Sequence, residues 1–139
     1  MKRIAVAAAA LAALALPVAA QPPAAQGPRP PAFNHALSNV PGKSLIAVEV
    51  NYAPGQASPS HHHAKSAFIM AYVISGSIVS QVEGQPEKTY RAGETWFENP
   101  GDHHVVSRNA SATEPAKMLA VFVVDSTDSV LTTPDPRPN

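Results

Sequence analysis

The sequence predicts an all-β domain, a sandwich or barrel of short strands. Three observations predict it. The apolar segments are short and separated by Gly, Pro, Asn and Asp; most of them alternate apolar and polar residues; and no stretch holds a helical period for more than a turn or two. No internal repeat of fixed period accompanies them.

Taken in order, the chain opens on a segment outside the fold. Lys2 and Arg3 precede an apolar run from Ile4 to Leu16, and "VAA" (Val18 to Ala20) supplies small side chains. Residues 1–20 therefore read as an export signal cleaved after Ala20. The run is too short to cross a hydrocarbon core of about 30 Å as a helix. The expectation is a periplasmic or secreted protein with no stable membrane anchor after cleavage. Residues 21–32, "QPPAAQGPRPPA", are dense in proline without apolar period and read as an extended linker.

Residues 33–131 hold the domain, about a hundred residues, the usual scale for one core. "LIAVEV" (Leu45 to Val50) ends at "NYAPG", and "AFIMAYVI" (Ala67 to Ile74) ends at "SGS". "IVSQVE" (Ile78 to Glu83) alternates and is closed by "GQPE" as a hairpin loop. "ETWFE" (Glu94 to Glu98) stops at "NPGD", and "MLAVFVV" (Met118 to Val124) has the all-apolar character of a buried strand. Residues 132–139, "TTPDPRPN", read as a disordered tail.

Composition narrows the function classes. The formal net charge is zero and charged residues make up 14%, so no basic surface points to nucleic acid. The absence of cysteine excludes a disulfide framework, a Cys-based zinc site and a lipid-anchoring cysteine.

Five of the six histidines fall in two clusters, His61 to His63 and His103 with His104. In an extended strand His61 and His63 share a face and His62 points the other way. Two imidazoles on one face of a barrel strand can converge on an ion with bonds of about 2 Å, and the second cluster can supply a third. Alternation alone does not choose between His103 and His104.

The same residues carry a family resemblance. "GQASPSHHH", with Gly55, His61 and His63, and "GETWFENPGDHH", from Gly93 through Gly101 to His104, resemble the two motifs of the cupin superfamily, in that order. The resemblance implies a double-stranded β-helix, or jelly-roll barrel, with a metal ion in its mouth held by His61, His63 and His104. It also implies a homodimer, as in many small cupins. Asn99 and Arg108 stand where the second motif has proline and its closing asparagine, and neither position is a ligand. A third departure concerns the ligands. The first motif normally carries a glutamate, which counting back from Gly76 places at Ile69 and counting forward from His63 places at Ala67 or Phe68. There is no Asp, Glu or Gln between His63 and Gly76.

Three neutral imidazoles would leave a divalent ion its full charge, polarising bound water and attracting chelating anions such as enolates. Imidazole does not discriminate among Fe, Zn, Mn, Ni and Cu, so one divalent ion of open identity is expected. Glu98 is the candidate for a carboxylate behind the ligands, accepting an imidazole N–H. Trp96, Tyr72 and Phe68 are candidate pocket walls, and Lys65 a solvated cation. The expected function is action on a small molecule at this site, with oxygenase- or isomerase-type chemistry. The alternative is a non-catalytic periplasmic module that binds or senses a small ligand or the ion.

Overall fold

Eleven strands and no helix make up residues 30–136, the part of the chain that the structure, a computed structural model, describes. They are β1 (Phe33–Ala36), β2 (Lys43–Tyr52), β3 (Ala57–Ser58), β4 (His61–His63), β5 (Phe68–Ser75), β6 (Ser77–Val82), β7 (Lys88–Arg91), β8 (Thr95–Glu98), β9 (His103–Asn109), β10 (Ala116–Asp125) and β11 (Thr132–Pro134). The expected export signal, most of the proline-rich linker and the last three residues lie outside the described residues.

Two antiparallel sheets enclose the interior. One runs β1-β2-β10-β5-β8; the other runs β11-β4-β9-β6-β7, with β3 also paired to β9. Neighbours in the sheets are remote in sequence, as β2 and β10 are, which is the topology of a jelly roll. Period two fixes what each strand buries. Along β10 the inward residues Ala116, Met118, Ala120, Phe122 and Val124 are buried and alternate with half-buried ones. The inward residues form two apolar clusters, one around Trp96, Val73 and Met118 and the other around Ile69, Phe122 and Val124. Each large aliphatic or aromatic side chain buried there contributes roughly 1.5–3 kcal/mol.

The predicted apolar segments correspond to β2, β5, β6, β8 and β10, and "GQPE" joins β6 to β7. The expectation for the tail is corrected at residues 132–136. Thr132, Thr133 and Pro134 pair with His63, His62 and His61, and the Asp135 N–H donates to the Ser60 carbonyl at 2.9 Å. Proline is tolerated because β11 is an edge strand, where a missing N–H breaks no ladder. The contact that anchors the segment, Asp135 against His103 at 2.8 Å, joins residues far apart in sequence.

Gly76, between β5 and β6, has φ +71° and packs against β10. A Cβ added there would lie 2.7 Å from the Pro115 carbonyl oxygen and 2.8 Å from the Ala116 Cβ. Strain from the left-handed backbone and overpacking therefore add. Gly76→Ala is expected to lower stability by about 2–4 kcal/mol in a urea titration. Gly84→Ala, with nothing within 4 Å, carries only the backbone part and is the control.

Phe68, Met70, Tyr72 and Ile74 form the outward row of β5, with the exposed Phe97 of β8 beside them. The Phe68 and Phe97 rings stack at 5.9 Å. Phe68 and Tyr72 are therefore not pocket walls, since their odd–even partners Ile69 and Ala71 take the interior. Asn109, which begins an Asn-Ala-Ser sequon, is buried, and its amide donates to the carbonyls of Ala53 and Glu114. It is a turn staple, not a glycan acceptor.

Candidate metal centre

The register of β4 against β9 builds the site. His61 lies directly opposite His104, and His62 opposite His103. Directly paired residues share a face, so His104 follows His61 into the barrel while His103 follows His62 outward. His63, two residues beyond His61, also faces in. The inner ring centroids stand 4.7 Å (His61 to His63), 5.0 Å (His61 to His104) and 6.1 Å (His63 to His104) apart. One nitrogen from each lies within 4.8 Å of the others, a spacing from which three donors can close on one ion. They open on a cavity of about 420 Å³ between the sheets, walled by apolar side chains that include Val48, Ile69, Trp96 and Phe122.

Backbone carbonyls set the protons on two of the rings. His61 Nδ1 lies 2.7 Å from the Pro59 oxygen, and His63 Nδ1 lies 3.2 Å from the Leu131 oxygen. A carbonyl only accepts, so both nitrogens carry N–H and both Nε2 lone pairs are left bare. A ligating imidazole is held in this way, with its other N–H on a carbonyl. His104 has Nε2 at 2.9 Å from Ser80 Oγ and Nδ1 at 3.2 Å from Glu98 Oε1.

Glu98, at the end of β8, is 2% exposed and directed at the histidines. Its Oε1 accepts the Trp96 indole N–H at 3.2 Å. Its Oε2 lies 3.2 Å from His63 Nε2, yet makes no hydrogen bond among the described residues. Glu98 therefore contacts the imidazoles of both His63 and His104.

Burial keeps two of the imidazoles, His61 and His104, neutral. It lowers His61 and carries His104 from an ordinary 6.5 down to about 4. The unfolded chain takes up a proton at His104 near 6.5, whereas the folded one resists it until about 4. This contribution is complete above 6.5 and is lost as pH falls through that window, amounting to about 3 kcal/mol. Chelator-treated protein is therefore expected to lose denaturant resistance steeply between pH 6.5 and 4, measured by urea titration across that range.

The outer pair is organised differently. His62 and His103 stack with centroids 4.0 Å apart and planes 11° from parallel. One nitrogen from each ring and an Asp135 oxygen lie within 4.8 Å of one another, but the rings are near parallel and Asp135 pairs with His103 at 2.8 Å. Both His103 nitrogens also meet acids, Asp135 at 2.8 Å and Glu83 at 3.5 Å, and the Asp135 hydrogen bond raises its pKa. The arrangement suits a cationic imidazole that ties β11 down.

Three polar groups around the site escape sequence reasoning. Ser80 holds His104, the Leu131 carbonyl holds His63, and the Tyr52 hydroxyl meets Ser58 Oγ at 2.7 Å and Ser107 Oγ at 2.8 Å. Ser80 shares the inward parity of Ile78, and a polar residue at a core position is the available signal. Tyr52 extends the parity of Val48 and Val50, two residues past the predicted end of the strand. A main-chain carbonyl leaves no signal at all.

Comparison with known proteins follows this geometry. The family model described as Cupin domain matches residues 48–122. No curated protein matches the chain. Among solved structures, an oxalate oxidase in complex with the substrate analogue glycolate is 28% identical, with a TM-score of 0.51 over 60% of this chain and 42% of that one. The DMSP lyase DddQ from Ruegeria pomeroyi DSS-3 is 26% identical, with a TM-score of 0.55 over 67% of this chain and 45% of that one. A protein with a double-stranded β-helix domain from Klebsiella pneumoniae subsp. pneumoniae is 19% identical, with a TM-score of 0.57 over 80% and 89%, a likeness of fold alone. The chain spans less than half the length of the oxalate oxidase and the DMSP lyase.

Proposed function

Because the chain belongs to the cupin domain family, with residues 48–122 matched, we propose that it is an exported cupin that binds one divalent metal ion and acts on a small molecule beside it. The carrying observation is the convergence of His61, His63 and His104 on one cavity, with bare Nε2 lone pairs on His61 and His63. A bound ion would supply Lewis-acid or redox chemistry of the oxygenase or isomerase type. The chain's own residues do the rest. The Pro59 and Leu131 carbonyls and Ser80 orient the imidazoles, and the apolar walls exclude water.

The wall composition bears on the substrate. Among the described residues no lysine or arginine lines the cavity, so a dianion would find no side-chain cation there. A ligand with one or two oxygen donors and an apolar body fits better, as a diketone or a phenol does. The charged start, apolar run and "VAA" of residues 1–20 support export to the periplasm. The outward row Phe68, Met70, Tyr72 and Ile74 with Phe97 supports a homodimer formed through that face. Met70→Lys should then turn a dimer into a monomer in light scattering, and an unchanged mass would refute this interface.

The test is metal analysis of the exported protein, followed by an oxygen-uptake screen with diketones, phenols and thiols and an isomer-ratio assay on the same compounds. Metal-dependent turnover supports the enzyme. Metal with stoichiometric ligand retention and no turnover makes the protein a binding module. Protein that takes up no metal refutes the proposal.

A further inference from the structure

We infer that Glu98 is a fourth ligand, so that the ion is held by three imidazoles and one carboxylate. This rests on the metal-site reading above and changes its charge and donor set. The expectation from sequence is a site without a carboxylate ligand, in which Glu98 at most supports an imidazole from behind.

The contact between His63 and Glu98 is unfavourable as it stands. His63 Nδ1 is committed as a donor to the Leu131 carbonyl, so its Nε2 presents a lone pair. That lone pair faces Glu98 Oε2, also an acceptor, at 3.2 Å, and neither solvent nor a donor reaches the oxygen. A buried carboxylate oxygen left without a partner costs about 1–3 kcal/mol or more. Two acceptors held together in a dry wall need a positive charge between them, either a proton on the imidazole or a bound cation.

Geometry favours a metal ion in that place. Donors bound to one ion at about 2.0–2.2 Å stand roughly 3–3.4 Å from their neighbours around it. Glu98 Oε2 to His63 Nε2 and Glu98 Oε1 to His104 Nδ1 are both 3.2 Å. The carboxylate is also fixed in orientation. The Trp96 N–H occupies Oε1, which leaves Oε2 as the free donor turned to the cavity. Directly across the β5–β8 ladder from Glu98 stands Ile69, 2% exposed, which keeps that side of the site apolar. A divalent ion in this set keeps a net charge of one. The site then favours neutral or singly charged chelating ligands over dianions, in line with the absence of wall cations.

Glu98→Gln keeps the shape, removes the charge and tests the assignment. The probes are Co(II) and Zn(II), with affinity measured by chelator competition, the Co(II) visible spectrum as a report on the donor set, and thermal melts with and without Zn(II). His61→Ala is the reference for loss of an imidazole. The expected result is that Glu98→Gln binds Zn(II) at least tenfold more weakly than the wild type and shifts the Co(II) bands. Its metal-free form should melt at or above the metal-free wild type, because the unpartnered charge is gone. If His61→Ala loses the metal while Glu98→Gln binds it with wild-type affinity and an unchanged Co(II) spectrum, Glu98 is no ligand and the three-histidine site stands. If the wild type binds neither ion, the metal-site reading falls, and this inference with it.

Discussion

Alanine at His61, His63 or His104 is expected to abolish retention of divalent metal through dialysis, whereas alanine at His62 or His103 should leave metal content at the wild-type level, because the β4–β11 backbone ladder keeps Leu131 in place when the Asp135 contact is lost. The two sets alternate along the same two strands, so charge, composition and distance in sequence are nearly constant between them. Only the face differs. Loss of a partner behind a ligand typically weakens binding 10–100-fold, and loss of the ligand itself should exceed that. The thermal consequence follows from linkage. At a hundredfold excess of metal over the dissociation constant the wild type gains about 2.7 kcal/mol, and the three inner variants should gain almost none. Metal content after dialysis and melts with and without Zn(II) measure both. Equal losses at His62 and His63 would contradict the register of β4 against β9.

Moving the carboxylate across the sheet is the second large effect. Ile69 and Glu98 are direct partners in the β5–β8 ladder, both fully buried. Ile69→Glu alone sets a second carboxylate beside the first, where two like charges share a dry wall. The metal-free variant should lose about 3–5 kcal/mol, the scale of an uncompensated buried charge, and added Zn(II) should restore much of it. Adding Glu98→Ile exchanges the two side chains and keeps volume and charge constant. The exchanged protein should then be more stable than Ile69→Glu alone, because only one carboxylate remains in the wall. Its metal affinity should exceed that of Glu98→Gln. Urea titrations of the four proteins with and without Zn(II) decide this. If the exchange binds no better than Glu98→Gln, the carboxylate must come from β8 to reach the ion.

What can be read from sequence follows the physics of burial. β2, β5, β6, β8 and β10 are legible because a buried face imposes period two on their residues, as the alternation from Ala116 to Val124 shows. β7, "KTYR", and β11, "TTP", bury little and leave no apolar pattern to find. The histidines are legible as a converging set because alternation sorts one cluster and motif spacing the other. Glu98 carries a readable half-signal, since it shares parity with Trp96 in "ETWFE" and both are buried. That it meets His63 and His104, and that Ile69 faces it, depends on strand registers set by residues far along the chain. No local pattern encodes those. The same holds for Asp135, whose meaning lies in His103.

The place of β11 has a consequence for how the protein comes into being. During synthesis every other strand of the barrel emerges before Leu131 and the strand that follows it. Until then His63 lacks the carbonyl that holds its ring, and the outer pair lacks the Asp135 that fastens β11. Under the metal-site proposal, tight capture of an ion would therefore be a late event in the life of the chain, after its translation has passed residue 135. The relation also runs backwards. A protease that clips the segment after Asp128 would strip only the edge strand β11 from its sheet while releasing the ring of His63, and so would loosen the proposed metal site without unfolding the rest of the barrel.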